Sequence, residues 1–305
     1  MLGFGIAVTE GSCEILRSLT PEKRRQLLAS VFGNAGLNLN IARICAGASD
    51  YASHCYSYND SPDDVEMKDF SISPDKVAVI PTLRQIQELC PDIFFFSSLW
   101  SPPGWMKTGG SMYGGWLREK YLEAFAGYYE AFLDAYEKEG IHISAFTSQN
   151  ESETDQCGKS VACYLHPEYE QRIICDYLIP YLRRKKRNTQ AWLLDHNFIN
   201  WNRANWQLQD PKTKDAVSGV AFHYYEGVAG MAAQLHRAHP EVDIHWTEGG
   251  PNLGDNYSSE WCYWGRVFSE ALANRCSSIT GWNLALDENG NPNISEPSRA
   301  LPKIE

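Results

Sequence analysis

The chain has 305 residues, 43% of them hydrophobic, which is enough for one large domain of the kind an α/β barrel of about 250 residues requires. Its net charge of −11 excludes the basic footprint of a nucleic-acid binder, and the single basic run, Arg183 to Arg187, falls at a predicted helix end where cations favour the dipole. Nine cysteines without a CxxC pair or a Cys/His cluster at zinc-ligand spacing argue for reduced thiols and against a metal site.

Leu2 to Val8 is a short apolar run and a candidate first strand. Pro21 to Phe32 follows as helix, with Thr20 as cap, Pro21 at the first helical position and Glu22 in the first turn. Leu37 to Ile44 alternates and predicts the second strand. The polar stretch from Cys45 to Pro74 is too long for an idle loop, and its tyrosines suggest order on a functional rim.

Lys76 to Leu89 predicts a helix, and Ile93 to Ser98 a strand buried on both faces. Trp100-Ser-Pro-Pro-Gly-Trp105 is a stiff loop that holds two tryptophans beside that strand's end. Glu119 to Glu137 is helical, and Ile141 to Gln149 is the fourth strand. Glu168 to Tyr181 is a helix bent or ended near Pro180. Strands at Ala191–Leu194, Ala216–Phe222, Val242–Thr247 and Ser278–Leu286 then alternate with helices at Trp201–Leu208, Val228–His239 and Ser258–Asn274.

Eight strands separated by helices predict a (β/α)8 TIM barrel over residues 1–293, with 294–305 as a tail. Barrel chemistry sits at the strand C-termini. Strands two to eight end near Asp50, Trp100, Glu151, Asp195/His196, His223/Tyr225, Glu248 and Trp282, which would converge on one mouth.

Two glutamates at two strand ends suggest glycoside hydrolysis, in which one carboxyl protonates the leaving oxygen and the other attacks or activates water. Glu151 and Glu248 are the pair; Glu153 and Glu226 are neighbouring acids expected to be exposed. Asn150 could meet a sugar 2-hydroxyl or be an ordinary turn residue. His223 and Tyr225 could orient or hydrogen-bond the nucleophile or, for His223, be a satisfied core histidine. Trp282 could stack on a sugar face or fill the core, and Asp50 could accept from sugar hydroxyls or be a solvated loop acid. No phosphate-binding loop and no G-x-S-x-G elbow is present.

These motifs together resemble glycoside hydrolase family 30, especially its glucosylceramidase-like branch. The likeness is carried by Gly3-Phe-Gly, Ser49-Asp50-Tyr51, Trp100-Ser-Pro-Pro-Gly-Trp105-Met-Lys107, Gln149-Asn150-Glu151, His223-Tyr224-Tyr225, Thr247-Glu248-Gly249 and Gly281-Trp282-Asn283, with Asn293. The resemblance implies a retaining β-glycosidase with Glu151 as acid/base and Glu248 as nucleophile. It also implies a glycone site of Asp50, Trp100, Asn150, His223, Tyr225, Trp282 and Asn293, and no metal or organic cofactor. The implied substrate is a β-glucoside, glucosylceramide-like or other. A β-1,6-glucanase, a β-xylosidase or a sugar-binding remnant are the alternatives.

Two departures stand out. Ser152 replaces the proline usual after the acid/base, which should loosen that turn. The family pattern fades after Asn293, where members carry a β-sandwich. The expectation is then low stability, self-association through an uncovered barrel face, or a fragment of a longer parent. With no basic n-region before an apolar run and no span, the expected location is cytoplasmic, with a carbohydrate or glycolipid substrate, no nucleic-acid partner and no membrane insertion.

Overall fold

A computed structural model describes residues 1–251 and 257–295. Eight parallel strands close in sequence order: β1 (Gly3–Val8), β2 (Ile41–Cys45), β3 (Phe94–Ser98), β4 (Ala145–Thr147), β5 (Gln190–Asn197), β6 (Gly219–His223), β7 (Asp243–Glu248) and β8 (Cys276–Gly281), with β8 pairing back onto β1. The predicted barrel is therefore the observed one.

The strands read as apolar runs because helices cover their outer faces while side chains fill the interior. A lower interior layer is built from Ile41, Phe96, Ala145, Trp192 and Ala221. There Trp192 stacks on His245 with centroids 3.8 Å apart. That stack requires Gly219, since a Cβ there would stand 2.8 Å from the His245 ring and 3.0 Å from Trp192.

The outer ring comprises α1 (Glu10–Ser18), α2 (Pro21–Phe32), α3 (Val79–Leu89), α4 (Leu122–Lys138), α5 (Pro167–Arg172), α6 (Ile179–Lys185), α7 (Trp201–Gln207), α8 (Pro211–Ala216), α9 (Ala229–Ala238) and α10 (Tyr257–Ala273). α2 has the predicted bounds and the Thr20 cap. α1 was not anticipated; Thr9 caps it through Ser12 N–H at 3.1 Å.

Pro180 does not end its helix. A π-helical turn over Ile173–Leu178 joins α5 to α6, and Pro180 lies at the start of α6, where its missing N–H costs little. The fourth strand, expected over nine residues, shrinks to Ala145–Thr147, because β4 needs only enough ladder to pair with β3 and β5.

The long segment after β2 is ordered, but two of its tyrosines go inward rather than to the rim. Tyr56, Tyr58 and, from α4, Tyr136 all donate to the buried carboxylate of Asp75. This cage ties the loop carrying Asp50 to the helical layer.

All nine cysteines are free thiols. Along α10, Trp261, Phe268 and Leu272 form an exposed apolar stripe, with Trp261 71% accessible. Among the described residues no helix is long and apolar enough to cross a membrane. Most of the expected tail, residues 296–305, lies outside the described residues.

Candidate active site

Asp195 is the hub of the barrel mouth; the sequence places it at a strand end on that mouth but not among the catalytic or sugar-binding residues. β5 bulges between Leu194 and His196, with both Leu194 (φ +76°) and Asp195 (φ +51°) in the left-handed region. The bulge points the Asp195 carboxylate into the barrel, where it accepts from groups on five other strands. These are Arg43 Nη2 at 2.8 Å, Ser98 Oγ at 2.6 Å, Thr147 Oγ1 at 2.7 Å, His223 Nε2 at 3.1 Å and Thr247 Oγ1 at 2.6 Å. Burial works against this charge, but Arg43 and His223 outweigh it and hold the carboxyl well below the usual carboxylate range.

Glu170, on α5, fixes the bulge from behind. It is fully buried and accepts from Leu194 N–H at 3.0 Å, Arg203 Nη2 at 2.9 Å and Gln207 Nε2 at 2.9 Å.

Arg43, in the middle of β2, is the second residue missed. It is fully buried, donates to Glu248 Oε2 and gives 2.7 Å to Asn150 Oδ1. Its guanidinium lies 4.7 Å from the Trp100 ring centroid and 5.6 Å from that of Trp282. The signal was available: a charge inside a strand buried on both faces must be paired.

The remaining predicted residues have the following partners. Tyr225 donates to Glu248 Oε1 at 2.8 Å. His223 Nδ1 lies 3.4 Å from Glu151 Oε1, so the imidazole sits between both glutamates and Asp195. Burial alone would depress its pKa; the charge of Glu248 and the Asp195 and Glu151 contacts raise it to about 9. Asn150 is held by Arg43, leaving its amide nitrogen for a ligand.

Trp100 and Trp282 stack on each other with centroids 5.3 Å apart. Asp50 keeps a buried, unpartnered Oδ1, and burial with the Glu248 and Glu151 charges pushes its carboxyl up to about 7. Asn293 is exposed, holds Ser295 N–H at 2.8 Å and bonds Tyr51, at the edge of this group.

An oxygen of Glu151, a nitrogen of His223 and an oxygen of Glu248 all lie within 4.8 Å of one another. Glu151 is the more open of the two acids, with 15% of its side chain accessible against 8% for Glu248. Its backbone is left-handed (φ +48°), and its N–H donates to the Asp195 carbonyl at 2.8 Å. Glu153 is not free: Asn200 donates to it and Arg203 lies 3.7 Å away, while Glu226 is exposed.

The turn after Glu151 is not loosened by the missing proline. Ser152 is buried, and its hydroxyl donates to Leu194 O at 3.0 Å, tying the turn to β5. Farther along the same loop, Lys107 reaches in from the Trp105 segment. Its ammonium donates to Ser101 Oγ at 2.8 Å, Met112 O at 2.8 Å and Ala162 O at 2.6 Å, and burial lowers its pKa to about 8. Two mouth loops are thereby bound to one point.

Eight inward strands, a mouth of paired carboxylates and a tryptophan stack place the chain in glycosyl hydrolase family 30: the TIM-barrel domain model of that family matches residues 1–301. The putative glucosylceramidase 3 of Caenorhabditis elegans is 31% identical over 96% of this chain and 60% of its own length. An endo-1,6-beta-D-glucanase of Neurospora crassa is 28% identical over 96% of this chain and 62% of its own. The solved structure of an endo-beta1,6-glucanase superposes with a TM-score of 0.90 at 28% identity, over 96% of this chain and 68% of that one. The chain thus spans about 60% of the length of these curated relatives.

Proposed function

We propose that the protein is a retaining glycosidase of β-glucosides, with Glu248 as nucleophile and Glu151 as acid/base. The observation that carries this reading is the approach of the two carboxylates to within 4.8 Å. Retaining enzymes keep their carboxyls about 5–5.5 Å apart, whereas inverting enzymes need roughly 6.5–9.5 Å to seat a water between them.

Charge bookkeeping supports the division of roles. With His223 protonated, two cations face Glu248, Asp195 and Glu151. Arg43 contacts both Glu248 and Asp195, and with His223 it holds the Asp195 carboxyl well below the usual carboxylate range. Glu151 is not bonded by Arg43; burial raises its pKa, but the His223 and Gln156 contacts outweigh this and lower it in the free protein, so the proton it donates is taken up once a bound sugar excludes water. Glu248 then attacks the anomeric carbon while Glu151 protonates the leaving oxygen. A glycosyl ester forms on Glu248, and water activated by the ionised Glu151 releases the sugar with the starting configuration. Tyr225 holds the Glu248 oxygen not bound by Arg43. Asp50, Trp100, Asn150, Trp282 and Asn293 receive the glycone, with the unpartnered Asp50 oxygen taking a sugar hydroxyl.

The substrate is a β-glucoside of the type hydrolysed by glucosylceramidases. The 0.90 match to an endo-beta1,6-glucanase favours a second reading, a β-1,6-glucan. Hydrolysis of nitrophenyl β-glycosides by wild type, Glu151→Ala and Glu248→Ala tests the core claim. Each substitution should lower turnover by roughly four orders of magnitude. Azide should rescue Glu248→Ala with inversion and Glu151→Ala with retention. An α-product from the wild type, or rescue with the opposite stereochemistry, refutes the assignment.

A further inference from the structure

The two oxygens of Glu151 face different partners. Oε1 faces His223 Nδ1 at 3.4 Å, and Oε2 accepts from the side-chain amide of Gln156. An acid oriented by the imidazole on one side protonates a leaving oxygen through the other. Gln156 Nε2 therefore stands where that leaving oxygen must arrive.

This contact is built by the loop rather than by chance. Thr154 N–H donates to Glu151 O at 3.1 Å, Gln156 N–H to Thr154 Oγ1 at 3.0 Å, and Cys157 N–H to Asp155 Oδ1 at 3.0 Å. Gln156 (φ +51°) and Cys157 (φ +53°) both adopt the left-handed region, which folds the loop back over the acid. Its start is tied down by Ser152 and its far end by Lys107 through Ala162, while Gln156 itself is exposed.

The wall beyond is also unsatisfied. Asn197 N–H donates to His196 Nδ1 at 2.8 Å, so the neutral His196 ring carries its hydrogen on Nε2, which is buried without a partner. Asn197 Oδ1 is likewise buried and unpartnered. His196 is parallel to His223, with centroids 6.2 Å apart.

We propose that Gln156 is a leaving-group residue, caps the acid oxygen in the free protein, and turns to a hydroxyl of the leaving group when the glycosidic oxygen takes its place. The inference rests on the assignment of Glu151 as acid/base. It names the substrate class as a β-glucoside whose leaving group is itself hydroxylated, as a second sugar is. A hydroxyl restores the displaced hydrogen bond, whereas an aryl leaving group cannot.

The test compares kcat/KM for a β-1,6-linked glucose disaccharide and for 4-nitrophenyl β-glucoside in wild type, Gln156→Ala and Gln156→Glu. In Gln156→Ala the disaccharide-to-aryl ratio should fall about fivefold. The basic limb of the aryl-glucoside pH profile should move upward, because Glu151 loses a donor to its carboxylate, and further upward in Gln156→Glu, where a like charge faces it. A ratio within about twofold of wild type, or a stationary limb, overturns the proposal. Wild-type turnover of the aryl glucoside, lost in Glu248→Ala, reports the glycosidase reading separately. An active wild type with an unchanged ratio therefore refutes only the role of Gln156.

Discussion

Arg43 determines the electrostatic state of the mouth more than either glutamate does. Replacing it by methionine strands Asp195 and Glu248 in the interior, and denaturation should show a loss of about 3–5 kcal/mol. Arg43→Lys keeps the charge but not the fork, and should fall between. His223 supplies a pH signature. Its folded pKa is raised to about 9, above the ordinary imidazole value near 6.5. Its contribution is therefore complete below about pH 6.5 and disappears as pH rises through about 9. The stability gap between wild type and His223→Gln, read from urea midpoints, should narrow across that window. Glu151, Glu248 and their aromatic neighbours were legible in the sequence because strand ends expose chemistry. Asp195 was legible as a polar group at a strand end on the mouth but not as its hub, and Arg43 was missed although a charge inside a buried strand calls for a partner. Both are defined by what crosses the barrel, which no local window contains.

Among the elements, strong local signals were the most readable. α2 has a cap, a first-turn proline and an acid, and matches to the residue. α1 was hidden because Gly11, Ser12 and Cys13 are weak helix formers, and packing supplies what propensity does not. α8 is six residues long and polar, too short for a periodic pattern. The helix running from α5 to α6 carries a positional duty, because Glu170 props the β5 bulge from its first turn. Glu170→Ala leaves Arg203 and Leu194 N–H without their partner and should cost about 3 kcal/mol. Activity should fall along with stability, since Asp195 then loses its support. Glu170→Gln, which can still accept from Leu194 N–H, should recover part of both; equal damage in the two variants would show that charge rather than support matters.

For the molecule as a whole, closure between β1 and its neighbours depends on bare backbone. A Cβ on Gly5 would stand 2.6 Å from both Cβ and O of Ile41 in β2. Gly5→Ala should therefore lower stability by about 3 kcal/mol or more and reduce soluble yield, measured by calorimetry. The alternation of strands and helices revealed the closed architecture because a parallel strand pair needs a crossover, and the repeat of eight leaves a barrel as the natural solution. The sequence pattern did not reveal how the long β2–α3 segment would be anchored, since Asp75 and its three tyrosines are far apart in the chain.

That anchor has an optical consequence. Tyr56, Tyr58 and Tyr136 have pKa values raised well above 10 by burial and by the Asp75 charge. Their phenols therefore resist ionisation in the folded state. An alkaline titration followed by ultraviolet absorbance should show the accessible tyrosines first and the buried ones later, these three with Tyr128 and Tyr129 among them, in the same step in which the circular dichroism of the barrel is lost. On back-titration the late group should return to its dark, protonated form only as the chain refolds. The buried tyrosines thus give the native state an intrinsic reporter that needs no label.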